Sequence, residues 1–182
     1  MKKTFRYFIY SLIILSTFAI GNAIYADISI EDLKNEYANE QSQFIEVNEM
    51  DVHYRDEGEG FPIVLIHGTA ASLHTWDDWT EELKKTNRVI RMDLPAFGIT
   101  GPNKNADYSL QAYTDFLNSF IDKLKLEKFH LAGNSLGGNI AWNYAADYPQ
   151  KVEKLILVDA SGLPTNKQPP SIFKMAKNPL LK

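Results

Sequence analysis

The sequence predicts an α/β fold, a mainly parallel sheet with helices on both faces, preceded by an N-terminal hydrophobic helix. Short continuous apolar runs, such as those at 63–66 and 155–158, are typical of strands that are buried on both faces. These runs alternate with longer segments of helical periodicity. Repeating strand–helix units of this kind form parallel sheets that are covered by helices.

Residues 1–26 have the composition of a targeting segment. Lys2, Lys3 and Arg6 precede an uncharged and mostly apolar stretch that runs to Ala26. A cationic start followed by an apolar run is typical of a signal peptide. The run is also close to the roughly 20 residues that span a bilayer, so a signal anchor stays open as the alternative. Either form sends the rest of the chain across or onto a membrane, so we expect a cell-envelope protein, membrane-anchored or exported, with the membrane as a partner of this segment.

The chain then shows a short helix and a hairpin. Ser29 is predicted to cap the helix, with Asp32 placed to complete a capping box. Strands at 44–47 and 52–55 flank a turn at 48–51, which predicts a hairpin.

Strands and helices alternate after the hairpin. The predicted elements are a strand at 63–66, a helix at 76–85, a strand at 88–92, a loop at 93–107, a helix from Ser109 to about 124, a strand at 129–132, a helix at 136–147 and a strand at 155–158.

Composition and charge exclude several classes of function. The formal net charge is -4 and the basic residues are scattered among acids, so we expect no nucleic-acid partner. The chain has no cysteine, which excludes disulfides, thiolate metal sites and a cysteine nucleophile. We expect neither a cofactor nor a metal.

The strongest chemical signal is Gly133-Asn134-Ser135-Leu136-Gly137, which follows an apolar strand and opens a helix. This G-x-S-x-G pattern is typical of a nucleophile elbow, a sharp turn that projects the serine hydroxyl above the sheet. Glycines flank the serine because side chains there would collide across the turn. The start of the helix directs backbone N–H groups toward developing negative charge. We therefore predict that Ser135 is a nucleophile, against the alternative of a chance glycine-rich turn.

A second motif, His67-Gly68-Thr69, comes directly after the strand at 63–66. In an acyl-transfer enzyme, the backbone N–H groups of Thr69 and Leu136 would form the oxyanion hole. Each such donor is worth about 3–4 kcal/mol in the transition state. Gly68 lets the backbone come close, and His67 is predicted to brace the loop rather than to act as a base.

These motifs resemble the serine hydrolases of the α/β-hydrolase superfamily, in particular the esterase and lipase branch with its membrane-anchored bacterial relatives. Ser135 argues against the haloalkane dehalogenase and epoxide hydrolase branches, which use Asp at this point. Ala96 stands where relatives usually have glycine. The matching stretches lie in the family's order, at 67–69, 93–98, 133–138 and 155–162.

The resemblance divides the chain and implies an incomplete α/β-hydrolase fold. After the targeting segment at 1–26, we expect a linker with a short helix at 27–42 and the N-terminal part of the hydrolase domain at 43–163. Residues 164–182, which contain four prolines, would begin a lid.

The resemblance also implies a triad in the chain order Ser, acid, His. Asp159, which ends the last predicted strand, is the candidate acid, although more relatives place the acid one strand later. Asp93 is expected to hold its own loop together, His130 to lie in the core and His74 to line the pocket. The chain's four histidines all precede the predicted nucleophile, at His53, His67, His74 and His130.

We therefore expect a carboxylic-ester hydrolase lineage that forms an acyl-enzyme on a small-molecule ester or acyl substrate. One alternative is another serine-dependent activity on this fold: carbon–carbon bond hydrolysis, acyl transfer or cofactor-free haloperoxidase chemistry. Asn134 beside the serine occurs in the carbon–carbon hydrolases that the chain resembles. The other alternative is an inactive fragment or a non-catalytic binding protein, because no histidine follows Ser135.

Overall fold

A computed structural model describes residues 3–23 and 28–163. The chain separates into an N-terminal unit, Met1–Tyr37, and a larger unit, Ala38–Lys182. The larger unit contains, in chain order, β1 (Gln43–Val47), β2 (Met50–Glu57), β3 (Phe61–Ile66), a 3₁₀ helix (Leu73–Trp76), α3 (Asp77–Leu83), β4 (Asn87–Met92), α4 (Leu110–Lys123), β5 (Phe129–Asn134), α5 (Leu136–Asp147) and β6 (Val152–Val158). The predicted lid at 164–182 lies outside the described residues.

The N-terminal unit begins with the predicted helix, α1 (Lys3–Ala23). Large apolar side chains on it, such as Ile14 and Phe18, are exposed. Within residues 3–23 and 28–163, no helix combines the length and the apolar character that crossing a membrane requires. The targeting role of residues 1–26 stays a prediction.

The second helix of this unit, α2 (Ile30–Tyr37), confirms the predicted capped helix. The Ser29 hydroxyl accepts a hydrogen bond from the Asp32 N–H at 3.1 Å and donates one to the Asp32 carboxylate at 2.7 Å. One side chain thereby satisfies an N–H group that has no partner within the helix.

The larger unit is built on a six-stranded sheet in the order β1-β2-β4-β3-β5-β6. Strands β4, β3, β5 and β6 are parallel, and β1 and β2 form an antiparallel hairpin at one edge. The predicted mainly parallel sheet is confirmed. Parallel strands have their carboxyl ends on the same side of the sheet. The loops after β3, β4, β5 and β6 therefore lie together at the carboxyl ends of these strands.

The hairpin differs from the prediction in the length of its turn. Asn48 and Glu49 alone form it, with φ of 49° and 62°, and Val47 pairs with Met50. Two consecutive residues at positive φ give the twist that suits a two-residue hairpin turn. The predicted turn at 48–51 is therefore too long, and β2 continues to Glu57.

The helix predicted at 76–85 is shorter and begins differently. A 3₁₀ turn covers Leu73–Trp76 and α3 covers Asp77–Leu83. The Lys85 and Thr86 N–H groups bond to carbonyls three residues back rather than four. Such bonds tighten the last turn and end the helix.

The remaining elements agree with the prediction within a few residues. Ser109 caps α4 by accepting a hydrogen bond from the Ala112 N–H at 3.2 Å, and α5 has the predicted bounds. The last strand begins at Val152 instead of 155.

Two apolar cores lie on opposite faces of the sheet. In β3, Val64 and Ile66 belong to the core that α4 and α5 cover, whereas Ile63 and Leu65 belong to the core that contains Trp76. Successive strand residues point to opposite faces, so a strand buried on both faces must be apolar throughout. This explains the continuous apolar run and confirms helices on both faces.

Candidate active site

Ser135 occupies the junction between β5 and α5, and its backbone has φ 50° and ψ -111°. A non-glycine residue in so sparsely populated a region costs about 1–3 kcal/mol. The Ser135 N–H donates to the Val158 carbonyl at 3.0 Å, and the Asn139 N–H donates to the Ser135 carbonyl at 3.0 Å. The predicted strained turn between strand and helix is confirmed. The role of Ser135 as a nucleophile stays a prediction.

The glycines around Ser135 are required by close backbone packing. A Cβ on Gly133 would lie 2.2 Å from the Gly137 carbonyl oxygen. A Cβ on Gly137 would lie 2.2 Å from the carbonyl oxygen of Ile66, the last residue of β3. Both separations are far shorter than a van der Waals contact, so the elbow closes only with glycine at these two positions.

The predicted oxyanion loop lies against the elbow. Strands β3 and β5 are neighbours, with Ile66 paired to Gly133. A Cβ on Gly68 would lie 3.1 Å from the Ser135 Cβ. Thr69 is exposed beside this contact, and Leu136 is the first residue of α5. The first N–H groups of a helix have no partner within it, so the Leu136 N–H is free of intrahelical bonding.

His67 is fully buried and links two loops of the site. Its Nδ1 bonds to the Gly68 carbonyl at 2.8 Å, and its Nε2 bonds to the Leu94 N–H at 3.0 Å. These partners place the proton on Nδ1, because Nε2 must accept from the N–H. Burial lowers the pKa of His67 and keeps the ring neutral. Both ring nitrogens serve the backbone, which is the bracing role that the sequence predicts.

Asp93 is a buried acceptor at the end of β4. Its carboxylate receives hydrogen bonds from the Leu73 N–H at 2.8 Å, from the Ile99 N–H at 3.1 Å and from His53 Nδ1 at 2.8 Å. Burial by itself raises the pKa of Asp93, but these hydrogen bonds outweigh burial and hold the pKa below its ordinary value. Asp93 therefore holds its own loop, as predicted, and also the loop that follows β3.

The candidate acid, Asp159, directly follows β6 at the same edge of the sheet as Ser135. It is exposed, with a left-handed backbone of φ 46°. Two residues further on, the Ser161 N–H and hydroxyl both donate to the Ser135 carbonyl, at 3.0 and 3.1 Å. The role of Asp159 stays a prediction. Sequence reasoning missed Ser161, because a lone serine in a loop carries no pattern that indicates which carbonyl it will reach.

The other histidines have partners away from Ser135. His74 Nε2 accepts from the Arg55 guanidinium at 3.0 Å. His130 packs against Phe61 near the start of β5, at the opposite end of that strand from Ser135. It is only partly buried, so the prediction that it is a core residue is wrong. The faces alternate normally along β5, with Phe129 and Leu131 in one core and Ala132 in the other, so His130 shares its face with Ala132 and lies at the less covered end beside the exposed Phe61.

Among the described residues, no group of three or more His, Asp or Glu side chains is arranged to hold a metal ion.

The sheet order and the strained turn at Ser135 are those expected of an alpha/beta hydrolase fold. A sequence model of the alpha/beta hydrolase fold family matches residues 62–178. The chain belongs to this family. Similar curated proteins include 2-hydroxymuconate semialdehyde hydrolase of Pseudomonas sp. strain CF600, which is 35% identical over 59% of this chain and 39% of its own length. The 2-hydroxy-6-oxo-2,4-heptadienoate hydrolase of Pseudomonas putida is 32% identical over 63% of this chain and 42% of its own length. The match therefore spans about two fifths of these relatives.

Solved structures extend the similarity over more of the chain. A bacterial membrane phospholipase A has a TM-score of 0.72 and 26% identity, and the match covers 96% of this chain and 59% of that one. A candidate lipase of Acinetobacter baumannii has a TM-score of 0.70 and 31% identity, over 85% of this chain and 54% of that one. A meta-cleavage product hydrolase of Pseudomonas fluorescens has a TM-score of 0.64 and 32% identity, over 68% of this chain and 47% of that one.

Proposed function

We propose that this chain carries the nucleophile and the oxyanion hole of a carboxylic-ester hydrolase. The observation that carries the proposal is the backbone of Ser135, at φ 50° between β5 and α5, with the Gly68 loop against it. Strain of this kind is retained where the surrounding structure enforces it, and functional sites are where it concentrates. The turn at Ser135 projects the serine hydroxyl away from both the strand and the helix.

In the proposed mechanism, the Ser135 hydroxyl attacks the carbonyl carbon of a small-molecule ester. The N–H groups of Thr69 and Leu136 stabilise the negative charge that develops on the carbonyl oxygen. The alcohol leaves, an acyl-enzyme forms on Ser135, and water then releases the acid. His67 and Ser161 act as positioning residues, because they fix the oxyanion loop and the Ser135 carbonyl.

The proton acceptor for Ser135 has to come from outside residues 43–163. His67 has both ring nitrogens on backbone groups, and His53 bonds to Asp93. His74 bonds to Arg55 and Ser72, and His130 lies at the far end of β5. A serine hydroxyl without a base is a poor nucleophile, and loss of the histidine costs several orders of magnitude in rate in known triads. The chain by itself is therefore expected to be inactive toward esters.

The choice of ester hydrolysis rests on how far each similarity extends. The phospholipase and lipase structures match 96% and 85% of this chain, whereas the meta-cleavage product hydrolase matches 68%. The alternative is carbon–carbon bond hydrolysis. It is favoured by the curated relatives, whose names denote keto or aldehyde acids without an ester group, and by Asn134 beside the serine.

The experiment restores the missing base chemically. We expect no Ser135-dependent hydrolysis of 4-nitrophenyl butyrate by the chain alone, and Ser135-dependent hydrolysis when imidazole is added as a base. The Ser135→Ala variant should show only the hydrolysis that imidazole catalyses without any protein. The control Ser119→Ala should behave as the wild type. Equal rates for the wild type and Ser135→Ala at every imidazole concentration would refute the proposal. Rapid Ser135-dependent turnover without imidazole would refute an external base. Cleavage of a 2-hydroxy-6-oxo-dienoate in place of the ester would favour the alternative.

We also propose that the N-terminal segment directs the protein to the bacterial cell envelope. The support is the cationic start, the uncharged run and the exposed apolar side chains of α1. Fractionation of expressing cells should place the protein in the membrane or the exported fraction. Recovery from the cytoplasm with an intact N-terminus would contradict this proposal.

A further inference from the structure

A second serine, distant from Ser135, stands at the end of a linear array of hydrogen bonds. The Ser42 hydroxyl lies 2.8 Å from Nε2 of His53, and Nδ1 of His53 lies 2.8 Å from the Asp93 carboxylate. His53 and Asp93 are buried, with 0% and 1% of their surface exposed. Ser42 is only partly buried, so the array runs from the interior to the surface.

The protons in this array have an arrangement that gives each of its hydrogen bonds one donor and one acceptor. Asp93 is ionised near neutral pH, because its pKa lies below the ordinary value. In this arrangement the carboxylate accepts from His53 Nδ1–H, and Nε2 accepts from the Ser42 hydroxyl. The Asn39 N–H donates to the Ser42 oxygen at 3.1 Å and fixes its position. The Ser42 hydroxyl could also donate to the Asn39 side-chain oxygen, but this hydrogen bond, at 3.4 Å, is longer and weaker than the one to His53 at 2.8 Å.

We propose that Ser42 is a second nucleophilic site, with His53 as its general base, which takes an activated acyl or phosphonyl group. The Ser42 oxygen forms a bond to the carbonyl carbon or to phosphorus, and the bond to the leaving group breaks. The hydroxyl proton passes to His53 Nε2 and is then released with the leaving group. Asp93 stays ionised, holds the ring in the required tautomer and stabilises the imidazolium. This division of roles is recognised by geometry and not by position in the chain.

The Ser42 array is separate from the proposed Ser135 site. His53 lies on β2, and the sheet order places β4 and β3 between β2 and β5. With strands about 4.8 Å apart, three steps across the sheet separate the two sites by roughly 14 Å. The base of Ser42 is also part of the described chain, whereas Ser135 requires one from elsewhere. Reaction at Ser42 therefore does not depend on the proposed ester hydrolase.

The test is covalent labelling with a biotinylated fluorophosphonate, which forms a stable adduct on serine as fluoride leaves. The folded chain with Ser135→Ala is treated with the probe, and the modified peptides are identified by mass spectrometry over time. Ser119 is the internal control, because it is also partly buried but donates to a backbone carbonyl, that of Asp115. We expect Ser42 to be labelled at least about 100-fold faster than Ser119, the lower end of what a positioned general base contributes.

The dependence on the base is tested with His53→Gln. We expect Ser42 labelling to fall to the rate of Ser119, while Ser119 labelling and the far-ultraviolet circular dichroism stay unchanged. Equal labelling of Ser42 and Ser119 in the wild-type background would overturn the proposal. Undiminished labelling of Ser42 in folded His53→Gln would overturn it as well. If this variant does not fold, the ratio in the His53-containing chain decides, with the guanidinium-unfolded chain as the reference for equal reactivity.

Discussion

Replacing Gly137 by alanine tests the packing that holds the elbow. In an ordinary helix interior this change stabilises by about 1 kcal/mol, because glycine has the larger conformational entropy to lose. At Gly137 the new Cβ would lie 2.2 Å from the Ile66 oxygen and 2.5 Å from the His67 oxygen. A normal contact is about 3.5 Å, so helix and strand would have to separate by roughly 1 Å.

The atoms that the new Cβ meets belong to the backbone of β3 and of the loop after it, so no side-chain rotation relieves the overlap. Overpacking of this kind costs about 1–3 kcal/mol when side chains can adjust, and more when they cannot. After the gain in helix propensity is subtracted, we expect Gly137→Ala to lower the free energy of unfolding by about 2 kcal/mol or more.

The assay is urea unfolding followed by tryptophan fluorescence, with the midpoint and the slope both measured. Gly138→Ala is the matched control, because the nearest atom to its Cβ is the side-chain Cβ of Ala160, at 2.6 Å. Adding Ala160→Gly should restore part of the stability lost in Gly138→Ala and none of that lost in Gly137→Ala. A Gly137→Ala variant as stable as the wild type would refute the packing argument.

Three further predictions concern strained or charged positions. Ser135→Gly should raise the free energy of unfolding by about 1 kcal/mol, since glycine adopts φ 50° without strain; an unchanged urea midpoint would contradict the strain. Ala96→Gly should raise the free energy of unfolding by about 1 kcal/mol, because Ala96 has φ 69°. A melting temperature equal to that of the wild type in calorimetry would contradict this prediction. The pKa of Asp93 is lower in the folded chain than its ordinary value. The contribution of ionised Asp93 to the free energy of unfolding is therefore complete above pH of about 4, and it is lost as the pH falls through the folded-state pKa. Asp93→Asn should flatten this acid limb of the unfolding midpoint.

The sequence predicted those features that depend on neighbours along the chain. The cap at Ser109, the bounds of α5 and the strained turn at Ser135 follow from spacing within a few residues, and the structure has them as expected. The turn at Asn48 and Glu49 was predicted too long, because two non-glycine residues at positive φ leave little signal in the sequence. The bounds predicted for the helix at 76–85 are wrong at both ends, because 3₁₀ turns and α turns are formed by nearly the same residue types.

By itself, the sequence determined the class of fold, the elbow and the two loop motifs, because hydrophobic period and turn chemistry are local properties. Only the tertiary structure decided that β4 lies between β2 and β3, and hence which distant side chains meet. His53 and Asp93 are 40 positions apart in the chain, and Ser161 reaches back 26 positions to the Ser135 carbonyl. Contacts over such separations follow from how strands pair and loops close, and a one-dimensional pattern does not contain that information.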